Sequence, residues 1–316
     1  MPLPPPLIVL AGSTASGKTA LSLELADALG ARGLAVEIIS ADSRQVYRGM
    51  DIGTAKVTPE ERARVPHHGL DLVDPDQPFS VADFQECAAR VLADLAARQG
   101  VALLVGGTGF YLRAVARGID TESLPWDPAV RAELDERLTR EGLQPLVDEL
   151  RALAPSRAAA VDLRNPRRVV RALEIARVRG NAPLPEPRGY GRPVLWVGLS
   201  VERPTLVERI RRRARAQFDA GLVEETRALA ARFDPSAPSF SSIGYAESLA
   251  YLRGDCTLED AIAADAQRNI AFSRRQATWF RGESDVRWLD ATGRLPLERA
   301  LFAAVEYLDT PLASHR

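Results

Sequence analysis

The stretch that decides the fold is Leu7-Ile-Val-Leu-Ala-Gly-Ser-Thr-Ala-Ser-Gly-Lys-Thr19, near the start of a chain of 316 residues. Its first four residues form an apolar run typical of a buried parallel strand. The next part, from Gly12 to Thr19, matches the pattern G-x-x-x-x-G-K-[ST], in which backbone N–H groups and a helix N-terminus bind a phosphate chain. We therefore predict a strand, a phosphate-binding loop and a helix, in that order.

This loop supplies the first candidate site residues. Lys18 is expected to reach the terminal phosphate, and the Thr19 hydroxyl to hold Mg²⁺. The predicted phosphate-binding residues are Gly12, Ser13, Thr14, Ala15, Ser16, Gly17, Lys18 and Thr19.

The rest of the chain continues the alternation of strands and helices. Apolar and β-branched runs predict further strands at 35–40, 101–105, 194–199 and 286–289. Helical spacing predicts helices at 20–29, 128–140, 143–152 and 166–179, and again between 204 and 281 with Gly221, Gly244 and Gly254 as stops. We predict an α/β fold with a parallel sheet: residues 1–120 and 191–316 form the core, and 121–190 form a helical insertion that begins near Pro125.

A single carboxylate is placed to act beside the phosphate loop. The predicted strand 101–105 runs into Gly106-Gly-Thr-Gly109 without the acidic residue that P-loop kinases and NTPases usually place there to support Mg²⁺. Asp42 instead follows the strand 35–40, and strand ends beside a P-loop line the ligand crevice of an open parallel sheet. Asp42 is thus predicted to accept a proton from an incoming nucleophile.

Charge is unevenly distributed along the sequence although the formal net charge is only -1. Residues 151–215 contain 16 arginines against 5 acidic residues. Such a basic segment indicates a polyanionic partner, and solvated helix surfaces are the competing interpretation.

Other features exclude several classes of protein. The two cysteines, Cys87 and Cys256, are far apart and indicate neither a disulfide framework nor a zinc site. His67 and His68 have no third ligand at suitable spacing, so a structural role is favoured over metal binding. Without a leader or a long apolar stretch, the protein is expected to be cytoplasmic, with no membrane partner.

Several motifs together resemble the tRNA dimethylallyltransferase (isopentenyltransferase) family. The longest is Asp42-Ser-Arg-Gln-Val-Tyr-Arg-Gly-Met-Asp-Ile-Gly-Thr-Ala-Lys56. The others, in chain order, are the P-loop, Pro66-His-His68, Leu104-Val-Gly-Gly-Thr-Gly-Phe-Tyr111, Arg168-Val-Val-Arg-Ala-Leu-Glu174, Ile243-Gly-Tyr245 and Arg275-Gln-Ala-Thr-Trp-Phe-Arg281. They extend over nearly the whole chain. Gln217 departs from the family's pattern, which often has Met there, and so do Ser241 and Ser242.

The resemblance implies a nucleotide-kinase-like core, dimethylallyl diphosphate with Mg²⁺ as donor, and the adenosine on the 3′ side of the tRNA anticodon as acceptor. It implies that Asp42 is the general base, that Thr108 positions the amine or the bridging oxygen, and that Lys18 and Arg213 hold the diphosphate.

The resemblance and the charge pattern together give a set of tRNA-binding candidates, and a monomer is expected. The candidates are Asp42, Ser43, Arg44, Gln45, Thr108, Arg131, Arg167, Arg168, Val169, Val170, Arg171, Ser241, Ser242, Ile243, Gly244, Tyr245 and Ala246.

Three alternatives stay open at this point. A P-loop nucleoside or shikimate-type kinase would explain Gly12 to Thr19 but not the run from Asp42 to Lys56. A prenyltransferase that uses free AMP or ADP would not need the basic segment. A non-enzymatic RNA-binding module would not need Lys18, Thr19 and Asp42 at one crevice.

Overall fold

The computed structural model describes residues 3–121, 124 and 126–311, and Pro125 lies outside them. The chain forms two compact units. The main unit comprises Met1–Gly118 and Gly189–Arg316, and the insertion comprises Ile119–Arg188. These bounds differ by two residues from the expected segment 121–190. Across the described residues, no helix is both long and apolar enough to cross a membrane.

The main unit contains a six-stranded sheet in which every strand pair is parallel. The strands are β1 (Leu7–Gly12), β2 (Val36–Ser40), β3 (His67–His68), β4 (Val101–Gly106), β5 (Leu195–Ser200) and β6 (Val286–Asp290). Their spatial order is β3-β2-β4-β1-β5-β6. All residues of β1 and β4 are buried, which explains their uninterrupted apolar sequences. The predicted α/β fold with a parallel sheet is confirmed, whereas β3 escaped prediction because two histidines carry no strand pattern.

Helices cover both faces of this sheet. In the main unit they are α1 (Lys18–Gly30), α2 (Pro59–Arg64), α3 (Val81–Ala97), α4 (Gly109–Ala116), α9 (Arg203–Asp219), α10 (Leu222–Ala230), α11 (Tyr245–Leu252), α12 (Leu258–Arg281) and α13 (Leu297–Asp309), where α5–α8 belong to the insertion. One apolar core joins α1 and α13 to one face, and a second joins α3, α4 and the end of α12 to the other.

One of the three predicted glycine stops is wrong. Gly221 and Gly254 follow the ends of α9 and α11 with φ of 100° and 81°, in the left-handed region that glycine adopts at helix C-termini. Gly244, with φ of 95°, instead precedes α11 as its N-cap. A glycine between two apolar segments indicates a break in the helix, but the surrounding sequence does not show whether a helix ends or begins there.

The insertion consists of four helices around a small core of its own. They are α5 (Pro128–Glu141), α6 (Leu143–Leu153), α7 (Pro155–Ala160) and α8 (Pro166–Arg179). Each of α5 and α8 begins with proline after a side-chain cap: Asp127 accepts from Ala129 N, and Asn165 accepts from Arg168 N. Three of these helices match the predicted ones, and the six-residue α7 is too short for a periodic signal.

Candidate active site

The loop between β1 and α1 has the geometry of a phosphate-binding loop. Gly17 precedes α1 with φ of 94°, and Lys18 begins the helix. The Lys18 ammonium donates to the Ser13 carbonyl over 2.8 Å. Burial lowers the pKa of Lys18 to about 8, the Asp42 carboxylate opposes this shift, and the Arg213 guanidinium adds to it. The loop thus places one titratable cation at the helix N-terminus.

Arg213 reaches this loop from α9, about 200 positions further along the chain. Its Nη1 donates to Thr14 Oγ1 over 3.1 Å. Burial lowers its pKa, while the carboxylates of Asp42 and Asp265 act in the opposite direction. An arginine keeps its charge despite such a shift, so Arg213 is a permanent cation beside Lys18.

Asp42 and Thr108 lie at the carboxyl ends of neighbouring strands, β2 and β4. Asp42 Oδ1 accepts from Arg44 N over 2.9 Å, which fixes the carboxylate within a turn. Its Oδ2 accepts no hydrogen bond from any residue within the described ranges. The Thr108 hydroxyl accepts from Ser43 N over 3.1 Å and lies 3.4 Å from Ser43 Oγ. These bonds tie the two loops together and leave one carboxylate oxygen for a ligand.

The phosphate loop, Asp42 and Thr108 open into one cleft of about 850 Å³, built entirely from the main unit. Asp42 is the sole carboxylate among the described residues that line it. Seven lining side chains carry positive charge. They are Lys18, Arg44, Arg209, Arg212, Arg213, Arg268 and Arg275. The cleft therefore suits a polyanionic ligand that presents one group to a base.

The structure brings most of the predicted site residues of the main unit together at this cleft. Those that line it are Thr14, Ala15, Gly17, Lys18, Thr19, Asp42, Ser43, Arg44, Gln45, Thr108, Arg213, Ser241, Ser242 and Ile243. The predicted residues of the main unit that are not among the lining residues are Gly12, Ser13, Ser16, Gly244, Tyr245 and Ala246. Tyr245 is fully buried and donates to Glu225 Oε1 over 2.6 Å, so its side chain has a structural contact instead.

The predicted positions in the insertion divide into two groups. Val169 and Val170 are buried in the core of the insertion, so their side chains present no surface to RNA. Arg131 and Arg171 both donate to Oε2 of the buried Glu174, over 3.2 and 2.8 Å. Arg167 and Arg168 are exposed at the start of α8, and their side chains make no hydrogen bond or ion pair with the part of the chain that the structure describes.

The structure also corrects the interpretation of the basic segment. Of the 16 arginines between 151 and 215, nine belong to the insertion and seven to the main unit. Residues 119–188 contain 12 arginines and 12 acidic residues, so the insertion has no net charge. Many of these arginines form ion pairs within it, such as Arg177 with Glu133 and Glu149. Electrostatic attraction of a polyanion must therefore depend on individual unpaired arginines and on the cleft.

Comparison with known proteins identifies the family. The sequence model described as IPP transferase matches residues 45–283. The chain belongs to the IPP transferase family. A tRNA dimethylallyltransferase of Symbiobacterium thermophilum is 43% identical over 302 residues, which cover 93% of this chain and 92% of the relative.

Solved structures of the IPP transferase family agree with the fold. The tRNA isopentenylpyrophosphate transferase of Bacillus halodurans is 38% identical and superposes with a TM-score of 0.69, covering 96% of this chain and 95% of that one. A eukaryotic dimethylallyltransferase crystallised while acting on tRNA is 24% identical, with a TM-score of 0.80 over 99% of this chain and 82% of that one, and shows the shared fold.

Several cleft residues received no role from the sequence. Arg209 and Arg212 lie in the same arginine run as Arg213, which is a usable signal once α9 is placed beside the phosphate loop. Arg268, Arg275 and Gln276 come from α12. The motif from Arg275 to Arg281 was recognised as a family feature, but nothing local indicates that its helix passes the P-loop.

His67 and His68 have partners other than a metal. His67 Nδ1 lies 2.7 Å from the Val65 carbonyl, and His68 Nε2 lies 2.7 Å from Glu37 Oε2. Their predicted structural role agrees with these contacts. Within the described ranges, no three His, Cys, Asp or Glu side chains form a group that could bind a metal ion.

Proposed function

We propose that this protein transfers the dimethylallyl group of dimethylallyl diphosphate to the exocyclic amine of the adenosine 3′-adjacent to the anticodon of tRNA, with release of diphosphate. The observation that carries the proposal is the cleft itself. A phosphate-binding loop and one carboxylate with an unoccupied oxygen open into the same electropositive space. In the sheet they are separated by β4, which Thr108 follows. A donor with a diphosphate and an acceptor with a removable proton fit these two ends.

The cations of the loop suit the leaving group. As the bond between C1 of the prenyl group and the bridging oxygen breaks, negative charge accumulates on the diphosphate. Lys18 and Arg213 are already bonded to Ser13 and Thr14 of the loop before the substrate arrives, so they stabilise this developing charge without reorganisation. The interaction is stronger in the transition state than in the ground state, which is the condition for catalysis.

The acceptor half depends on Asp42. An exocyclic adenine amine is a poor nucleophile, and attack by its nitrogen on C1 leaves an extra proton on that nitrogen. Asp42 Oδ2 is available to take this proton while Oδ1 remains bonded to Arg44 N. We assign to the Thr108 hydroxyl, fixed by Ser43, the positioning of the amine or the bridging oxygen.

A magnesium ion fits the residues present if the diphosphate carries it. Thr19 is exposed in the first turn of α1 and lines the cleft. In loops of this pattern the Ser/Thr hydroxyl binds Mg²⁺, which keeps several waters and also binds the substrate phosphates. We propose that the Thr19 hydroxyl holds this ion. When bound, it would neutralise part of the charge on the diphosphate.

We further propose that the insertion, 121–190, binds the anticodon arm. Arg167 and Arg168 support this role because they are exposed and unpaired among the described residues, unlike Arg131 and Arg171, which share Glu174. The target base must leave its stack to reach Asp42, which costs less in a single-stranded loop than in a duplex. One chain supplies the phosphate loop, Asp42 and Thr108, so the proposed chemistry needs no residue of a second copy, and we propose that the protein acts as a monomer.

The proposal is tested by transfer of radiolabel from dimethylallyl diphosphate with Mg²⁺ to unmodified tRNA transcript, to AMP and to ADP in parallel. Label in tRNA alone supports it. Label in AMP or ADP would make the protein a cytokinin-type prenyltransferase, and phosphate transfer from ATP without prenyl transfer would make it a kinase.

A further inference from the structure

Gln276 of α12 connects the two halves of the cleft. Its side chain is buried, and its Oε1 accepts from the backbone N–H of Thr14 over 2.8 Å. Its Nε2 donates to the carbonyl of Gly107 over 3.0 Å. One amide therefore bonds to the phosphate loop after β1 and, at the same time, to the loop after β4.

The geometry leaves no freedom in this bridge. A backbone N–H can only donate and a carbonyl can only accept, so a flipped amide would lose both bonds. A Cβ added to Gly107 would lie 2.2 Å from Gln276 Nε2, so any other residue at this position would force the amide of Gln276 to shift. The bridge is thus specified from both sides, by the amide of Gln276 and by the glycine opposite it.

Both ends of the bridge continue to reacting groups. Thr14 is also held through its hydroxyl by Arg213, a proposed diphosphate ligand. Gly107 directly precedes Thr108, whose hydroxyl bonds to Ser43 beside Asp42. A continuous path of hydrogen bonds and backbone therefore extends from the diphosphate cradle to the base.

We propose that Gln276 is a positioning residue that sets the separation between the diphosphate-binding loop and the loops of Thr108 and Asp42. The inference rests on the proposed prenyl transfer, in which C1 must lie between the leaving oxygen and the attacking nitrogen. Reaction is fast when the reacting atoms are held about 3 to 3.5 Å apart, and a misplacement of about 1 Å can lower the rate by a factor of about 100. Gln276 acts on that alignment through Thr14 and Gly107, to which both polar atoms of its amide are bonded.

The first variant is Gln276→Met, which keeps the length of the side chain and removes both hydrogen bonds. We expect kcat to fall by about 30- to 100-fold, in line with such a misplacement. KM for dimethylallyl diphosphate should rise, because Thr14 loses a support, while the Kd of tRNA stays within about twofold. A role confined to stability would lower the melting temperature and leave kcat of the folded enzyme unchanged.

The matched control is Gln85→Met. Gln85 lies on α3 of the same unit, donates from Nε2 to the Ala114 carbonyl over 2.7 Å, and is not among the residues that line the cleft. Its replacement also removes a bond from a glutamine amide to a backbone carbonyl, and should leave kcat and both substrate affinities unchanged.

A second variant, Gln276→Glu, separates positioning from packing. An ionised glutamate still accepts a hydrogen bond from Thr14 N, but its other oxygen faces the Gly107 carbonyl, and these two acceptors repel each other. A protonated glutamic acid accepts and donates as the amide does. Lys18 and Arg213 line the same cleft and favour the ionised form of the glutamate. The activity of the variant should therefore recover only at low pH. The ratio of variant to wild-type kcat removes any pH dependence that the two enzymes share.

That ratio is measured between pH 8 and the acid limit of wild-type activity. We expect it to rise as the pH falls and to exceed the ratio for Gln276→Met, which should not vary. A flat ratio for Gln276→Glu, or Gln276→Met with kcat within about threefold of wild type, would overturn the inference. If Gln276→Met does not fold, the glutamate series decides alone. An inactive wild type would instead refute the proposed function, and the inference with it.

Discussion

Asp42 is fixed by one oxygen and offers the other, and this division makes its role testable at the level of a single atom. In Asp42→Asn the amide oxygen can still accept from Arg44 N, so the turn is retained while the base is lost. We expect kcat for prenyl transfer to fall by about 10²- to 10⁴-fold, the usual contribution of a general base, with tRNA affinity little changed. Single-turnover rates with enzyme in excess measure this directly.

The control for this variant is Asp94→Asn. Asp94 pairs with Arg98 on α3 and is not among the residues that line the cleft, so its replacement should not alter the rate. Transfer by Asp42→Asn within about threefold of wild type, against the 10²-fold or more that loss of a general base costs, would remove Asp42 from the role of base.

Lys18 predicts a pH dependence. Its pKa of about 8 means that the free enzyme loses this cation as the pH rises through that value. We therefore expect kcat/KM for dimethylallyl diphosphate to decline above about pH 8, since this ratio reports the free enzyme. A bound diphosphate stabilises the charged form and raises the pKa of Lys18, so kcat should decline only at higher pH.

Steady-state kinetics between pH 7 and 10 provide the measurement. A value of kcat/KM that stays constant over this range would show that the charge of Lys18 does not titrate there or does not matter for donor binding.

Local motifs made the site partly predictable at this scale. The P-loop and Asp42 each follow a strand within a few residues, so strand prediction was enough to place them. Gln276 binds Thr14 across 262 positions of sequence. No local pattern indicates such a contact, which requires the path of α12 through the folded molecule.

Helix α8 supplies two different kinds of arginine, and they should respond differently to mutation. Arg167 and Arg168 are exposed, whereas Arg171 is bonded to the buried Glu174. We expect Arg167→Ala and Arg168→Ala each to reduce the slope of log K against log salt concentration for tRNA binding by about one unit, as for a lost phosphate contact.

Binding is measured by filter retention or fluorescence between about 50 and 200 mM salt, the range over which phosphate contacts change affinity steeply. Arg151→Ala is the control, because Arg151 is exposed on α6 and pairs with Asp148. Unchanged slopes in both α8 variants would exclude this helix from the RNA contact.

Glu174 should be a structural anchor of the insertion. Its carboxylate accepts from Arg131, Arg171 and the backbone N–H of Asp127. Glu174→Gln removes the buried carboxylate charge that Arg131 and Arg171 share, and Arg131 keeps a 3.5 Å ion pair with Asp135. We expect a loss of roughly 3 kcal/mol in the free energy of unfolding of the insertion, the lower end for broken buried pairs because both arginines remain about one third exposed.

Hydrogen exchange resolved to peptides would detect this loss in α5 and α8 while β1 and β4 stay protected. Protection in α5 and α8 equal to that of the wild type would contradict the anchoring role.

At the scale of elements, periodic patterns predicted long helices and buried strands well. They failed where an element is too short to show a period, as in β3 and α7, and at Gly244, where the chain resumes rather than ends a helix. Both failures concern features determined by tertiary contacts rather than by local preference.

For the whole molecule, charge summed along the sequence misplaces the basic surface, because the basic segment belongs to two different units of the fold. The basic segment 151–215 crosses from the insertion into α9, so a linear sum combined two surfaces. In the structure the insertion has no net charge, and seven positively charged side chains line the cleft of the main unit against one carboxylate among the described residues. We therefore expect recognition of tRNA to depend on both the cleft and a few unpaired arginines, rather than on a uniformly basic domain.

The most direct test of the account is to identify the product nucleoside. Unmodified tRNA and a matched transcript, with guanosine in place of the adenosine 3′ to the anticodon, are incubated with enzyme, dimethylallyl diphosphate and Mg²⁺, then digested and analysed by mass spectrometry. The account predicts N6-dimethylallyladenosine from the first transcript, none from the second, and none with Asp42→Asn. Prenylated adenosine from the guanosine transcript, or prenylated AMP alone, would contradict it.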